Sequence, residues 1–331
     1  MSRLPRRQFL IATGALLAAP LVAEAQRAPE PARVCILRNL PPPPAPVTVA
    51  FLGAFKEGLK EAGFIEGSNL VIHARWEPDI SKLPGHAAVL VDAKVDVIVT
   101  FTTPATRAAL DATRSIPIVF TMVSDSVGSG FVASLGRPGG NVTGVTNVFP
   151  DLSGKLLGLV REVVPGLGRA AVLWNPDNPG TRLDLEELVR AAGQARVTLQ
   201  PFEVKSAADF RPAFGAIQRT RPDALITLVE TVTWLQRQEI IDFALKHRLP
   251  TAFNLGGHVE LGGLMFYAPR VSLIHQRAAV LAGKILKGAR PADLPVERPT
   301  HFELSVNLKT AQALGITFPR TVLLRADRVI E

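Results

Sequence analysis

Short runs of apolar, often β-branched residues alternate along this chain with longer segments in which apolar positions recur at helical spacing. This alternation is typical of parallel sheets whose strands are joined by crossover helices. Residues 95–99 read Val-Asp-Val-Ile-Val, which is the nearly continuous apolar run expected of a central strand covered on both faces. The pattern therefore predicts an α/β protein.

The elements fall into two successive sets of the same order. The first set has strands at residues 33–37, 70–74, 95–100 and 116–121, with helices at residues 47–62, 83–93 and 105–113. The second set has strands at residues 170–174, 198–204, 224–229 and 251–254, with helices at residues 152–164, 183–192, 207–219 and 233–247. The likeness lies in element order and not in residues, and it predicts two lobes of similar size.

The C-terminal part of the chain adds a predicted strand at residues 263–267, a long helix at 271–287 and a late strand at 302–307. Such a tail lets a chain cross several times between two lobes. We predict lobe 1 as residues 26–147 with 268–298, and lobe 2 as residues 148–267 with 299–331. Because ligands of open α/β sheets bind at the carboxyl ends of the strands, two facing sheets predict a hinged clamp around a shared cleft.

The first 25 residues have the features of an export signal. A positive segment that contains Arg6-Arg7 precedes the uncharged apolar residues 9–22, and a small-x-small cleavage site ends at Ala25. We predict cleavage near Ala25 and a periplasmic protein, since the apolar run is shorter than the ~20 residues of a membrane-spanning helix. The arginine pair resembles a twin-arginine signal, but Pro5 replaces its usual Ser or Thr, so the sequence leaves the export route open.

Composition narrows the possible functions. Cys35 is the single cysteine, which excludes an intrachain disulfide, and 47% hydrophobic residues in 331 supply a core without one. The net charge of +8 is scattered and not gathered into a basic block, so no nucleic-acid partner is predicted. No histidine pair has metal-ligand spacing, and no nucleophile or acid/base constellation is evident, so we predict no metal, no cofactor and no enzymatic activity.

Two neighbouring segments carry a family resemblance: PIVFTMVSDSVGSG at residues 117–130 and GRPGGNVTGV at residues 136–145. Together with GLKEAGF at 58–64 and VLWNP at 172–176, they resemble the periplasmic substrate-binding proteins of ABC transporters, a family that includes tryptophan- and tyrosine-binding members. The resemblance extends over residues 33–319. It implies a type I periplasmic binding fold with two doubly wound parallel-sheet lobes, no catalysis, and delivery of a small solute to a permease.

The predicted function is that of an extracytoplasmic, monomeric solute-binding protein that closes around a small, amino-acid-like ligand and presents it to an ABC permease in the inner membrane. A ligand-binding sensor subunit for a membrane kinase or chemoreceptor is the alternative, and the sequence does not separate the two. In the family, the loop after the first strand commonly contacts the ligand. Here that loop, residues 39–44, reads NLPPPP and departs from the family pattern, which argues against an aromatic amino acid.

Polar residues at strand ends are the candidate ligand contacts. Thr103 is a plausible helix N-cap with Pro104 at the first helical position, which would leave free amides at a site suited to a carboxylate. Asp125 could hold an ammonium group or only cap a turn. Glu230 follows an apolar run directly, where a carboxylate is costly unless it is solvated or paired. The full predicted set comprises Asn39, Thr102, Thr103, Ala105, Thr121, Asp125, Asn147, Asn175, Asn178, Glu230, Thr231, Asn254, Gly256 and Tyr267.

Overall fold

The computed structural model describes residues 30–43, 46–228 and 230–331. The predicted export signal therefore lies outside the described residues. Within the described ranges, no helix combines the length and the apolar character needed to span a bilayer.

The first lobe is built on a five-stranded parallel sheet of order β2-β1-β3-β4-β5. Its strands are β1 (Ala32–Arg38), β2 (Leu70–Trp76), β3 (Val97–Phe101), β4 (Ile118–Val123) and β5 (Val142–Thr146). The helices between them are α1 (Pro46–Glu61), α2 (Leu83–Asp92) and α3 (Thr102–Ala112). Every residue of β3 is buried, as the apolar run at its centre predicted.

The second lobe is built on a seven-stranded sheet of order β12-β11-β10-β9-β8-β6-β7. Its strands are β6 (Arg169–Trp174), β7 (Thr198–Glu203), β8 (Ala224–Thr227), β9 (Thr251–Phe253), β10 (Met265–Pro269), β11 (Phe302–Asn307) and β12 (Arg328–Ile330). Its helices include α4 (Phe149–Val163), α5 (Pro179–Ala195), α6 (Phe210–Thr220), α7 (Thr231–Leu235) and α8 (Arg237–Lys246). The β10–β11 pair is antiparallel, and the other named pairs are parallel.

The chain passes between the two sheets three times. It leaves the first sheet after β5, returns after β10 through helix α9 (Val271–Leu286), and enters the second sheet again at β11. Helix α9 packs against α1, β4 and β5 of the first lobe although it follows a strand of the second. Helices α10 (Leu308–Leu314) and α11 (Arg320–Leu323) complete the chain. The predicted residue limits of the lobes stay a prediction.

Alternation along the strands gives each sheet an apolar core on both faces. In β1, Val34 and Ile36 pack on the side of α1 and α9, whereas Cys35 and Leu37 pack on the side of α2 and α3. The second sheet is likewise covered on both faces. Helices therefore cover both faces of each sheet, and the strand ends are left to contact a ligand.

The observed elements differ from the predicted ones at a helix break, at a helix start and in several short elements. The predicted helix at residues 233–247 is two helices, α7 and α8, separated at Gln236. Helix α3 begins at Thr102 with Phe101 as its N-cap, so the predicted N-cap at Thr103 is wrong. The short elements β12, α10 and α11 were not predicted, because segments of three to seven residues carry too little periodicity to stand out.

Candidate ligand-binding site

A cavity of about 490 Å³ lies at the carboxyl ends of the strands and is lined by residues of both lobes. The first lobe contributes the end of β1 and the starts of α1, α3 and α9. The second contributes the starts of α4, α5 and α7 and the loop after β9. Helix N-termini carry free amides and a positive dipole end, so the cavity walls favour acceptor groups.

Three residues next to the cavity have left-handed backbone conformations. They are Thr102 (φ 73°), Met122 (φ 59°) and Val148 (φ 55°). Bulky and β-branched residues rarely adopt this region, and each instance costs on the order of 1–3 kcal/mol. Thr102 is held by a 2.6 Å hydrogen bond from its Oγ1 to Asn39 Oδ1. Thr102 and Val148 lie where the chain turns from strand to helix, and Met122 lies at the bulge near the end of β4.

Arg38 supplies a buried positive charge on the wall of the first lobe. It is the last residue of β1 and is 6% exposed. Its guanidinium carbon lies 4.6 Å from the ring centroids of both Phe51 and Phe101. Burial lowers the pKa of Arg38 to about 9, which still leaves it charged at neutral pH. Its Nη1 has no hydrogen-bond partner among the described residues, so it is available to an anion.

His275 closes the same wall from behind. Its Nδ1 lies 3.3 Å from Thr121 Oγ1, and its ring contacts Phe51 and Phe101 at centroid distances of 4.8 and 5.0 Å. Burial, and then the charge of Arg38, hold the pKa of His275 well below its usual range. His275 is therefore neutral at physiological pH, and Arg38 is the buried cation of this wall.

Glu230 supplies a buried carboxyl on the opposite wall. It is the N-cap of α7, where its Oε1 accepts a 2.5 Å hydrogen bond from the amide of Val232. It is 5% exposed, and its Oε2 has no partner among the described residues. Burial raises the pKa of Glu230 to about 7, against the opposing effect of the Val232 amide. A cation placed at Oε2 would pair with this carboxyl and favour its ionised form.

Asp184 is a second carboxyl on the wall of the second lobe. It lies on the buried face of α5 and is 1% exposed. Its Oδ2 accepts a 3.3 Å hydrogen bond from Ser124 Oγ, which follows β4 in the first lobe. Burial raises the pKa of Asp184 to about 8, and the bond from Ser124 acts in the opposite direction.

The surface between these polar groups is largely apolar. Trp234 lies on it with the guanidinium of Arg237 3.7 Å from its ring centroid. Leu40, from the proline-rich loop, also lines the cavity. The remaining large apolar side chains of the lining include Phe51, Phe101, Met122, Phe149, Leu255 and Phe266. Such a lining suits a ligand with an apolar or aromatic part.

The two lobes touch at the edge of the cavity. Thr231 Oγ1 of the second lobe donates to the backbone oxygen of Asn39 in the first. A Cβ atom added to Gly180 of α5 would lie 2.6 Å from Thr103 Oγ1 and 3.1 Å from Ser124 Oγ, both in the first lobe. The described arrangement is therefore a closed one, in which the absence of a side chain at Gly180 lets the starts of α3 and α5 approach.

Half of the predicted site residues line the cavity: Thr102, Thr103, Asn147, Asn178, Glu230, Thr231 and Gly256. Asn147 and Asn178 also stabilise the starts of two helices at the cavity. The Oδ1 atom of Asn147 accepts from the amide of Phe149 at the start of α4, and Asn178 caps α5 through the amide of Gly180. These seven residues meet at the cavity because each lies shortly after the end of a strand.

Two of the other predicted residues lie just behind the wall. Asn39 is fully buried and holds Thr102 and Thr231 through its side-chain and backbone oxygens. Thr121 contacts His275, which itself lines the cavity. Both support lining residues and do not line the cavity themselves.

The remaining five do not line the cavity, although Asn175 borders it as a hydrogen-bond partner of the Glu230 side chain. Ala105 packs in the first-lobe core, and Asp125 caps a turn by accepting from the amides of Val127 and Gly128. The Oδ1 of Asn175 accepts from the amide of Asp177, Asn254 borders a narrow crevice beside Leu228, and Tyr267 stacks on Phe302 at 6.1 Å.

Sequence reasoning missed Arg38 and Asp184. Arg38 follows the apolar run at residues 34–37 directly, and Asp184 falls on the helical face of Thr181 and Leu188, where an apolar residue is expected. A charge at a position that periodicity assigns to the core is the signal that could have revealed both. Within the described residues, no cluster of three or more His, Cys, Asp or Glu side chains is placed to hold a metal ion.

Comparisons with known proteins agree with this architecture. The tyrosine-binding protein of Clostridioides difficile (strain R20291) is 25% identical over 263 residues, which are 79% of this chain and 75% of that protein. The ABC domain from Streptococcus pneumonia in complex with L-Trp is 25% identical, with a TM-score of 0.84 over 91% of this chain and all of that one.

A third similar protein is a substrate binding protein with adhesive properties from Clostridium difficile, in its ligand-free, open structure. It is 24% identical, with a TM-score of 0.65 over 90% of this chain and 99% of that one. More distant periplasmic binding proteins share the arrangement of two α/β lobes, so the predicted type I fold is confirmed.

A family model described as ABC transporter substrate binding protein matches residues 45–330. Members of this family bind a solute without converting it and are extracytoplasmic. Because the match covers nearly the whole chain, this protein belongs to the family of ABC transporter substrate binding proteins.

Proposed function

We propose that this protein binds a zwitterionic amino acid with an apolar side chain between its lobes and delivers it to an ABC permease in the inner membrane. The observation that carries the proposal is the placement of a buried guanidinium and a buried carboxyl on opposite walls of the cavity. Arg38 on the first lobe and Glu230 on the second are each buried with one unpartnered polar atom. Buried polar atoms are nearly always hydrogen-bonded, so a ligand is the natural partner for both.

The α-carboxylate of the ligand faces the first lobe in this proposal. Arg38 offers a guanidinium, which is well suited to a carboxylate, and Thr102 and Thr103 line the cavity at the start of α3. The free amides and dipole of that helix end add to the attraction for an anion.

The α-ammonium group of the ligand faces Glu230. An ammonium there donates to Oε2, while Oε1 keeps its bond to the amide of Val232. A hydrogen bond to a charged group contributes about 1.5–3 kcal/mol, which is enough to select zwitterions over ligands that lack the amine. The two walls thus fix the direction in which the ligand lies.

The ligand side chain lies against the apolar surface between the poles. Phe149, Trp234 and Phe266 can pack against an aromatic ring, and relatives of this chain include a tyrosine-binding protein and a complex with L-Trp. The proline-rich loop argued against an aromatic ligand, but its Leu40 adds a further apolar contact. Tyrosine and tryptophan are therefore the first candidates.

Binding is proposed to shift a population from an open to a closed form, because only the closed form offers both charged walls to one ligand. Two contacts between the lobes, from Thr231 to Asn39 and from Ser124 to Asp184, accompany closure. The TM-score of 0.84 to the L-Trp complex, against 0.65 to the ligand-free open structure, supports this interpretation.

The chain is further proposed to reach the periplasm as a monomer after cleavage of its export signal near Ala25. Mass spectrometry of the protein recovered from a periplasmic fraction tests this. A mature N-terminus at Gln26 is expected, and a full-length mass in the membrane fraction would contradict it.

A thermal-shift screen against the twenty amino acids at pH 7.5 tests the ligand assignment. A ligand at a hundred times its Kd adds about 2.7 kcal/mol of stability, which gives a clear rise in melting temperature. We expect L-tryptophan or L-tyrosine to raise it, and tryptophanamide and indole-3-propionate, which lack one charge each, to fail. Equal shifts from the analogues, or none from any amino acid, would overturn the proposal.

A further inference from the structure

Asp184 is a buried cavity carboxyl that the proposed ligand contacts do not use. Its Oδ2 is bound to Ser124 Oγ at 3.3 Å, and its Oδ1 has no partner among the described residues. Because Ser124 belongs to the first lobe and Asp184 to the second, this bond joins the lobes directly beside the ligand. The backbone of Asp184 is also held in place, since Ser153 Oγ of α4 donates to its backbone oxygen at 3.3 Å.

The charged groups around Asp184 do not neutralise it. The cavity that Asp184 lines also contains Arg38, Glu230 and His275, together with the more exposed Arg270 and Glu303. Among the described residues, none of these forms an ion pair with Asp184. The charged side chains on the neighbouring helices are exposed: Arg107 and Asp111 on α3, and Asp151, Lys155, Arg161 and Glu162 on α4. Arg169 of β6 and Glu203 of β7 are exposed as well.

Charge balance in the closed cavity fixes the state of this carboxyl. The ligand carboxylate compensates Arg38, and the ligand ammonium compensates Glu230. An ionised Asp184 would leave one negative charge buried without a partner, which is strongly unfavourable. A neutral carboxyl keeps the bond with Ser124 and removes the unbalanced charge.

We propose that Asp184 is a positioning residue that holds the closed lobes together as an uncharged carboxyl group bonded to Ser124, so that closure around the ligand takes up one proton from solvent. The inference rests on the proposed function, because it assumes closure around an amino acid. In the open form the cleft is hydrated and Asp184 is a carboxylate. Closure removes that water, and the carboxylate accepts a proton.

The sign of the resulting pH dependence follows from proton counting. The closed form binds one proton more than the open form, since burial raises the pKa of Asp184 from 3.8 to about 8. Ligand affinity therefore falls as pH rises between these two values, by up to about tenfold per pH unit, and levels off above pH 8.

Calorimetric titration with L-tryptophan, at pH 5.5 to 8.5 and in two buffers of different ionisation enthalpy, tests this. At pH 7 the wild type is expected to take up nearly one proton per ligand. Asp184→Asn, whose amide resembles the uncharged carboxyl, should take up about one fewer and bind at least as tightly at pH 8.5. Asp177→Asn, the same change at an exposed site that pairs with Lys205, should match the wild type.

Two results would overturn the inference. The first is that a folded Asp184→Asn variant binds L-tryptophan more than about tenfold more weakly than the wild type, as expected if the carboxylate receives the ligand amine. The second is that this substitution leaves the number of protons taken up per ligand unchanged. If Asp184→Asn does not fold, Ser124→Ala decides. It keeps the carboxyl but removes its partner, so affinity should fall about fivefold, and an unchanged affinity would contradict the inference.

Failure of the proposed function gives a different result, namely that no amino acid binds the wild type at any pH. Small-angle X-ray scattering of the ligand-free protein then decides the inference. A smaller radius of gyration at pH 5.5 than at pH 8.5, absent in Asp184→Asn, supports proton-linked closure. A radius independent of pH in the wild type overturns it.

Discussion

The two walls of the cavity use opposite solutions to hold charge away from water. On the first lobe, Arg38 lies in contact with the rings of Phe51 and Phe101, whose faces attract a cation. On the second, Glu230 sits at the start of α7 and takes the Val232 amide that the helix leaves free. One wall stabilises its charge through aromatic rings and the other through a helix end, and neither forms an ion pair with another described residue.

The walls also differ in how far burial moves them toward neutrality. The pKa of Arg38 falls to about 9, so this wall stays charged at pH 7. The pKa of Glu230 rises to about 7 and that of Asp184 to about 8, so the opposite wall is close to losing its charge. The first lobe thus offers a fixed cation, and the second offers carboxyls whose ionisation depends on what they meet.

Among changes in the second lobe and at the contacts between the lobes, the largest expected effect on binding comes from removing the charge of Glu230. Glu230→Gln keeps the size of the side chain and an oxygen for the Val232 amide, but it cannot pair with an ammonium group. We expect a loss of about 2–3 kcal/mol in amino-acid binding, roughly a hundredfold in Kd, measured by calorimetry at pH 7.5. Glu186→Gln, an exposed change on α5, is the control. Equal affinity of Glu230→Gln and the wild type would show that this wall does not hold the amine.

Gly180→Ala tests the closed arrangement without changing any charge. The added methyl group meets Thr103 and Ser124 only when the lobes are closed, so its cost of about 1–2 kcal/mol weakens ligand binding roughly 5- to 30-fold. The unfolding temperature of the free protein should change little, because the helix preference of alanine offsets the contact of the added Cβ with Asn178 Oδ1 at 3.2 Å in the same lobe.

Gly193→Ala on the same helix is the matched control, since an added Cβ there has no neighbour within 4 Å. It should leave Kd unchanged. If both alanine variants bind alike, the starts of α3 and α5 do not approach in the ligand complex.

A smaller effect is expected from the hydrogen bond between the lobes at Thr231. Thr231→Val keeps the shape of the side chain but leaves the backbone oxygen of Asn39 without this donor. Closure should lose about 1 kcal/mol, roughly fivefold in Kd. Thr198→Val, at an exposed position of β7, should have no effect on binding. A reduced unfolding temperature with unchanged Kd would place this bond in the open form as well.

The fold could be predicted because its signals are local. Runs such as residues 95–99 and 224–228 are apolar enough to mark strands, and the order of elements then fixes two parallel sheets. The break between α7 and α8 was not predictable in this way. No Gly or Pro marks Gln236, where the backbone departs from helical geometry (φ −95°, ψ 15°).

The site could be predicted only from the general rule that ligands of α/β sheets bind where the strands end. That rule places Thr102 and Glu230 near the cleft, but it does not tell which way a side chain points, so Thr121 was expected at the wall although it lies behind His275. Phe149 and Trp234 were not predicted, because the sequence does not distinguish an aromatic residue that lines a cavity from one that packs in the core. Their role depends on packing between lobes, which no local pattern encodes.

The smallest change in folding stability is expected at Arg38, and there the sign of that change is informative. Burial of this charge costs several kcal/mol, and the two ring contacts return up to about 2 kcal/mol each, so the balance in the free protein is close to zero. Arg38→Met should therefore change the free energy of unfolding of the ligand-free protein by less than about 1 kcal/mol, toward greater stability, while amino-acid binding is lost.

Urea unfolding with and without L-tryptophan measures both quantities in Arg38→Met, and Arg75→Met on the exposed part of β2 controls for the lost charge. A marked loss of stability would mean that Arg38 serves the fold through its ring contacts. A neutral or stabilising change means that the fold of the first lobe does not require the charge of Arg38. The function of this charge is then to bind the ligand.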